Sequence, residues 1–495
     1  MNRIELERVT PESVGIPSHT INKLIDALEQ TGTEMHGLMI IKDGKVAAEG
    51  WWAPFSPGMV HSLHSLTKTY AATAVCLAVD EGLVQLQDRL VDLFPEDSPS
   101  EVSDNLSLLT VRDVLCMGCG METMPPPSEN WIRDFLHTEV VHKPGTTFMY
   151  NSVGSHMLGA IVKKVSGEGL HEFLKTRLFD KIGIDSENVK WLCLPDGLEA
   201  GGGGGFATTE DNARLMMLYL QKGIWNGKRV LSEELVELAS SIQIDSSSNL
   251  EGIPDCQLGY GFQVWMCRPE GVYRADGALG QYSLVFPDLN MIVSITECAK
   301  YPDVVQEVLD VVYDVLLPEV TSEPLPKDPI VYQNLLRRLK TLALPSPTYS
   351  PYSPLVEHIR GERFEVVEGD IPLFADYGWM TGNKIEKIRA FSLDIHSNTC
   401  VMELTIGNST YQVDVGIDGN GCINKLKTSN PISKVYMAGW WENKSCFNIE
   451  VRWLETCFVK NIKIEYFGSK ASITTLNQSN GLVEEKPIVA KALLQ

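Results

Sequence analysis

The periodicity of the chain changes once, across a run of prolines, and that change limits the architectures open to it. From Glu319 to Pro354 the composition shifts to Pro, Ser and Thr, with Pro318, Pro324, Pro326, Pro329, Pro345, Pro347, Pro351 and Pro354 around a short helical pattern, Val331 to Leu342. Proline fixes φ and lacks an N–H, so such a run punctuates elements rather than continuing them. Beyond it apolar residues alternate with period two: Phe391, Leu393, Ile395; Met402, Leu404, Ile406; Tyr411, Val413, Val415, Ile417; Phe447, Ile449, Val451, Trp453; then Ile462, Ile464, Tyr466. Turn signals, Gly407-Asn408 and Asp418-Gly419-Asn420-Gly421, separate the runs. The pattern predicts an all-β antiparallel meander of about eight strands over 355–476, closed as a barrel or stacked as a sandwich, with a polar tail over 477–495. At 495 residues the chain is too long for one core, so 319–354 reads as a linker joining a first domain, 1–318, to this second one.

The first domain mixes periods. Ile21, Leu24, Ile25 and Leu28 share one helical face, and His36 to Trp52 reads as a hairpin turning at Asp43-Gly44. Helical patterns then dominate to about residue 240, including Thr110 to Cys116, Trp131 to His137, Met157 to Val165, Leu170 to Leu178, Thr209 to Gln221 and Glu233 to Ser240. Strand patterns return at Gly261 to Met266, Gly271 to Ala275, Gln281 to Phe286 and Met291 to Thr296, and an amphipathic helix, Val304 to Leu317, follows. This order predicts an α+β domain: an antiparallel sheet built from both ends of the segment, flanked by helices, with a helical lobe between. The cleft between sheet and lobe is the expected site.

Ser65-Leu66-Thr67-Lys68 opens a stretch, Thr69 to Val84, that is small and apolar nearly all round, as a helix inside a domain should be. A serine three residues before a lysine on a helix sets hydroxyl and amine on one face, one turn apart. The helix N-terminus adds unpaired N–H groups, suited to the charge of an attacking alkoxide. Taken alone, the tetrapeptide also fits a capped core helix with a snorkelling lysine.

Two further motifs bear on it. Lys143-Pro144-Gly145 turns the chain into Met149-Tyr150-Asn151-Ser152, where Ser152 or Ser155 can cap a helix starting near His156. Tyr150 becomes a proton shuttle if a nearby ammonium such as Lys68 stabilises its phenolate. In Tyr273-Arg274-Ala275-Asp276-Gly277-Ala278-Leu279-Gly280-Gln281, glycines at 277 and 280 permit close backbone approach, so the Ala278 N–H can join that of Ser65 as an oxyanion hole. Each motif alone also fits a helix cap or a Gly-rich hairpin.

In this order the three motifs resemble the β-lactamase-related serine hydrolases: class C β-lactamases, D,D-peptidases, and esterases and amidases of that fold. The likeness covers about residues 10–318 and includes Leu109-Thr110-Val111-Arg112-Asp113-Val114-Leu115 and Lys181-Ile182-Gly183-Ile184. The resemblance implies a β-lactamase/transpeptidase-like fold, Ser65 as nucleophile, Lys68 and Tyr150 sharing the general-base work, Ser152 in the polar place usually held by Asn, and no cofactor. It departs at Ala275-Asp276-Gly277, where β-lactamases and D,D-peptidases carry Lys-Thr-Gly and many esterases His-x-Gly. The cation that grips a substrate carboxylate is missing, and Arg274 should face the other side of its strand. An esterase or amidase acting on a small molecule or short peptide with a neutral or differently charged acyl group is therefore expected ahead of β-lactamase, D,D-peptidase or D-aminopeptidase activity. A catalytically silent binder on the same scaffold would not need Ser65, Lys68 and Tyr150 together.

Other classes are disfavoured. The net charge of −22 lies almost wholly in residues 1–350, since 351–495 carry 15 Lys and Arg against 17 Asp and Glu; an acidic surface repels nucleic acid and anionic membranes. The N-terminus lacks the apolar core of a secretory signal, and eleven scattered cysteines suit a reducing compartment, so a cytoplasmic protein is expected. Cys116-Met117-Gly118-Cys119 has no second pair to complete a zinc site. His61 and His64 lack a third metal ligand. No Gly-x-Ser-x-Gly elbow occurs, and Gly201 to Gly205 are not followed by Gly-Lys-Ser/Thr; these glycines read as a flexible wall of the cleft.

Overall fold

A computed structural model describes residues 5–249, 253–299, 304–345, 350–375, 377–383, 387–396, 399–427, 430–477 and 486–495. Contacts divide the chain into two units, Met1–Leu342 with Met380–Gly382, and Ala343–Trp379 with Asn383–Gln495.

In the first unit, α1 (Ser18–Gln30) buries Ile21, Leu24, Ile25 and Leu28 completely. Strands β1 (Glu34–Lys42) and β2 (Lys45–Trp51) form the expected hairpin, with positive φ at both Asp43 and Gly44, as a two-residue turn of this hand requires. Helix α2 (Thr67–Asp80) is buried at every position from Thr67 to Ala78. It packs on α3 (Ser152–Ser166), and α4 (Thr209–Leu220) lies on the sheet, started by a capping box between Thr208 and Asp211. The sheet is completed by β3 (Trp265–Met266), β4 (Tyr273–Gly277), β5 (Gln281–Phe286) and β6 (Met291–Cys298) in the order β2-β1-β6-β5-β4-β3, antiparallel throughout. The two sequence ends of the domain meet where Leu38 faces Ile295 and Ile40 faces Val293.

Three expectations are corrected in this unit. The strand over Gly261–Met266 shrinks to Trp265–Met266. A Cβ on Gly261 would collide with the Ala239 carbonyl, and Gln263 sits at φ 57° with its amide donating to the Leu115 carbonyl at 2.8 Å. Helix α3 begins at Ser152, four residues early, because Asn151 caps it by accepting from the Gly154 N–H at 2.7 Å. The first half of the proline-rich stretch is not a free linker. Thr321 and Leu325 donate to the carbonyls of Gly15 and Glu12, and α5 (Pro329–Thr341) buries Leu335 and bridges to α1 through Arg338, 2.6 Å from Asp26 and 3.2 Å from Glu29. Leu335, Leu339 and Leu342 repeat at helical spacing, a weaker signal than the prolines around them.

The second unit contains β7 (Arg363–Glu368), β8 (Ile388–Ile395), β9 (Thr399–Ile406), β10 (Ser409–Gly416), β11 (Cys422–Lys425), β12 (Lys434–Asn443), β13 (Cys446–Trp453), β14 (Val459–Phe467), β15 (Lys470–Asn477) and β16 (Ile488–Leu494). Nine strands run β10-β9-β8-β7-β16-β15-β14-β13-β12 and close through Gly416 against Ala438, with β11 added on β12. The unit is thus a closed barrel and not a sandwich. The expected polar tail is corrected as well: residues 478–485 of it lie outside the described residues, but β16 fills the place between β7 and β15, pairing Phe364 with Leu494 and Ile473 with Ala490. Its buried positions are the small residues Ala490 and Ala492, between exposed Val489, Lys491 and Leu493, so the alternation carries little hydrophobic contrast.

Candidate functional site

Ser65 lies in a single 3₁₀ turn, His64–Leu66, between the two-residue strand His61–Ser62 and α2. His64 takes φ 46°, a left-handed conformation that non-glycine residues adopt at the expense of strain. One turn on, the Lys68 Nζ donates to Ser65 Oγ at 2.9 Å and, by a second short bond, to the Gly202 carbonyl. Lys68 is 1% exposed. Burial disfavours its charge and brings its pKa from 10.5 down to about 7, against an opposing pull from Asp276. The same burial, with Lys68 nearby, brings His64 down to about 4 and His156 to about 3, so both rings are neutral.

Tyr150 offers its ring to this amine. The Lys68 Nζ stands 4.9 Å from the ring centroid, within cation–π range. The ring is stacked on Trp265, with centroids 5.7 Å apart and planes 11° from parallel, while Tyr260 meets both edge-on. The loop ahead of α3 and the sheet edge at β3 thus fix the phenol jointly.

The end of β4 closes the other side. A Cβ on Gly277 would collide with the Leu63 carbonyl and lie 3.1 Å from the Leu66 N, so only glycine lets this strand press against the Ser65 turn. Ala278 follows directly, with Leu279 at φ 64° and Gly280 at φ 89° completing the bend. On β4 Ala275 faces Ser283, whereas Arg274 and Asp276 share the opposite face, joined Nε to Oδ2 at 2.7 Å. Arg274 is wholly buried, also donates to the Met266 carbonyl and lies 3.9 Å from Asp255, so its charge is engaged inside the protein. Burial raises the Asp276 carboxyl despite this partner.

A family model described as Beta-lactamase matches residues 22–309. The chain belongs to the β-lactamase family. It is 29% identical over 300 residues to the 6-aminohexanoate-dimer hydrolase of Paenarthrobacter ureafaciens, covering 56% of this chain and 74% of that protein. Among solved structures it is similar to the octameric penicillin-binding protein homologue from Pyrococcus abyssi, at 15% identity and a TM-score of 0.48, covering 95% of this chain and 99% of that one. It is also similar to a penicillin-binding protein homologue from Caulobacter crescentus, at 17% identity and a TM-score of 0.48, covering 61% and 99%. A β-lactamase-related serine hydrolase with a C-terminal barrel is therefore the class of this enzyme.

Within this β-lactamase-family site the structure brings together Ser65, Lys68, Tyr150, Gly277 and Ala278. The Asn151 side chain caps α3, and among the described residues Lys68 donates to Ser65 and Gly202. The carbonyl of Gly202 is a partner of Lys68 that the sequence did not point to. Gly201 to Gly205 are not a flexible wall. A Cβ on Gly201 would stand 2.9 Å from the Ser155 carbonyl, one on Gly202 would collide with that of Ser152, and one on Gly205 would meet Thr67 Oγ1 at 3.0 Å, so the run is threaded tightly between α2 and α3. Gly202, His156 and Trp265 were not legible as site residues; the glycine run was the available signal. His61 Nε2 meets His36 Nδ1 at 2.9 Å, and burial pushes the Cys116 thiol up to about 12, the opposite of a reactive thiolate. No helix among the described residues is long and apolar enough to cross a membrane.

Proposed function

We propose that this serine hydrolase cleaves a carboxylic ester or amide of a small molecule or short peptide through an acyl-enzyme on Ser65. The observation that carries the reading is the 2.9 Å contact between the Lys68 amine and Ser65 Oγ, inside a pocket that keeps about half of Lys68 unprotonated near pH 7. Neutral Lys68 accepts the Ser65 proton as Oγ attacks the carbonyl carbon, and the carbonyl π electrons move to oxygen. The N–H groups of Ser65 and Ala278 face that oxyanion. Lys68, with Tyr150 at its side, returns the proton to the departing alcohol or amine; a water then gives a proton to Lys68 as its oxygen attacks the acyl carbon, and Ser65 Oγ leaves with that proton from Lys68, freeing the acid. Tyr150 supports the ammonium through its ring face.

On the acyl side, Arg274 is engaged by Asp276, and Ala275 replaces the cation that would bind a carboxylate, which favours acyl groups without one. Similarity to a 6-aminohexanoate-dimer hydrolase adds amides of 6-aminohexanoate to the candidates. Eleven cysteines without a disulfide fit a cytoplasmic setting. A panel of p-nitrophenyl esters, 6-aminohexanoate oligomers, D-amino acid amides, nitrocefin and D-Ala-D-Ala peptides tests the reading. Turnover is expected among the esters or amides with little on the last two; fast nitrocefin or dipeptide turnover would refute the argument from Ala275.

A further inference from the structure

His156 stands on the second turn of α3, buried, with its ring edge-on to Trp131 at 6.0 Å. Its Nδ1 accepts from the Gly202 N–H at 3.0 Å. A neutral imidazole accepting at Nδ1 carries its proton on Nε2, so the acceptor is present whenever the ring is uncharged. The next group along the same residue is the Gly202 carbonyl, which accepts from Lys68. One glycine is therefore held at both ends, by an imidazole at its N–H and by the lysine at its C=O. Nothing larger fits, because a Cβ there would collide with the Ser152 carbonyl and lie 2.9 Å from His156 Cε1.

We propose that His156 is a positioning residue for the reaction: by holding the Gly202 amide it aims the Gly202 carbonyl at Lys68 and so fixes where the lysine's lone pair points. The proposal rests on the reading of Lys68 as proton acceptor. A neutral amine has two N–H bonds and one lone pair at tetrahedral angles. Anchoring one N–H on Gly202 leaves the pair free to turn toward Ser65, 2.9 Å away, and receive its proton. After transfer the same carbonyl stabilises the ammonium, so it also contributes to the balance between the two forms. The other titratable or charged groups around Lys68 are Asp276 on β4, Tyr150 ahead of α3 and His64 ahead of α2, while the Gly202 amide is bonded by His156 and its carbonyl by Lys68.

The test uses the full chain and a fluorophosphonate probe, whose labelling rate at Ser65 reports nucleophile activation whatever the natural substrate. His156→Phe keeps a ring of similar size without an acceptor, and should label about 10- to 100-fold more slowly, the range for losing with it the hydrogen bond between the Gly202 carbonyl and the Lys68 ammonium. Its acid limb should move to lower pH, because an ammonium without its carbonyl acceptor loses its proton more readily. His156→Asn places an amide oxygen near the Nδ1 position and should recover most of the rate and the wild-type limb. Labelling of His156→Phe at the wild-type rate overturns the proposal; so do equal losses in Phe and Asn with both limbs unmoved, which indicate packing alone. If His156→Phe does not fold, as read by circular dichroism, the pair His156→Asn and His156→Ala makes the same comparison. Lys68→Met separates the two claims. An active Lys68→Met defeats the reading of Lys68 itself, whereas an inert Lys68→Met beside a fully active His156→Phe defeats only the role of His156.

Discussion

The pH dependence of acylation follows from the burial of Lys68. An ordinary lysine at 10.5 would be unprotonated in only about 1 in 3,000 molecules at pH 7, whereas one brought down to about 7 is unprotonated in about half of them. The difference corresponds to roughly 5 kcal/mol of lost preference for the charged form, and its first cause is the desolvation of an amine 1% exposed. Because the base must be neutral to accept the Ser65 proton, the sign is fixed: acylation rises with pH through about 7 and levels off above it. Below that pH it should fall about tenfold per unit. The assay is the burst rate with a p-nitrophenyl ester, measured by stopped flow from pH 5 to 10, with Lys68→Arg as control. Arg stays protonated throughout, so Lys68→Arg should show no burst at any pH. A wild-type limb near pH 10, a flat profile down to pH 5, or a burst in Lys68→Arg would refute the reasoning.

Other outcomes test neighbouring parts of the site and fold. Gly277→Ala drives a methyl into the Leu63 carbonyl and displaces Ala278; turnover should fall about 10²- to 10³-fold, as for a lost oxyanion donor, with KM nearly unchanged in steady-state kinetics. Trp265→Ala removes the partner of the Tyr150 ring from a buried position and should reduce stability by about 3–5 kcal/mol in urea titration, whereas Trp265→Phe should reduce it far less. In the barrel, Ala490→Asp buries a charge and should destabilise that unit by more than about 3 kcal/mol, while Val489→Asp, on the exposed side of the same strand, should be near neutral by the same titration.

The parts of this protein written in strong local signals were legible in its sequence. The Asp43-Gly44 turn, the buried run of α2 and the alternation from Phe391 to Tyr466 each read directly as structure, because a turn dipeptide, an all-apolar helix and a period of two are short-range patterns. Ser65, Lys68 and Tyr150 were legible through spacing and through resemblance to a family. What escaped depends on partners distant in sequence. β16 shows no alternation of large residues, since its buried positions, between β7 and β15, are Ala490 and Ala492. The helix at Pro329–Thr341 is held by Asp26 and Glu29, three hundred positions away, while the prolines around it mark a boundary. Gly202 and His156 entered the site through main-chain atoms, and a carbonyl that receives Lys68 leaves no trace in residue type. Ser152 and Ser155 were read as candidate caps for α3, but Asn151, one residue earlier, accepts from the Gly154 N–H and takes that place.

The proposed reaction turns on a covalent bond between the substrate acyl group and Ser65 Oγ. Acid quenching of the reaction with a p-nitrophenyl ester within its burst, followed by peptide mass spectrometry, tests it most directly. The acyl mass is expected on the peptide bearing Ser65 and absent from Ser65→Ala. Acylation on another residue, or undiminished ester turnover by Ser65→Ala, would contradict it.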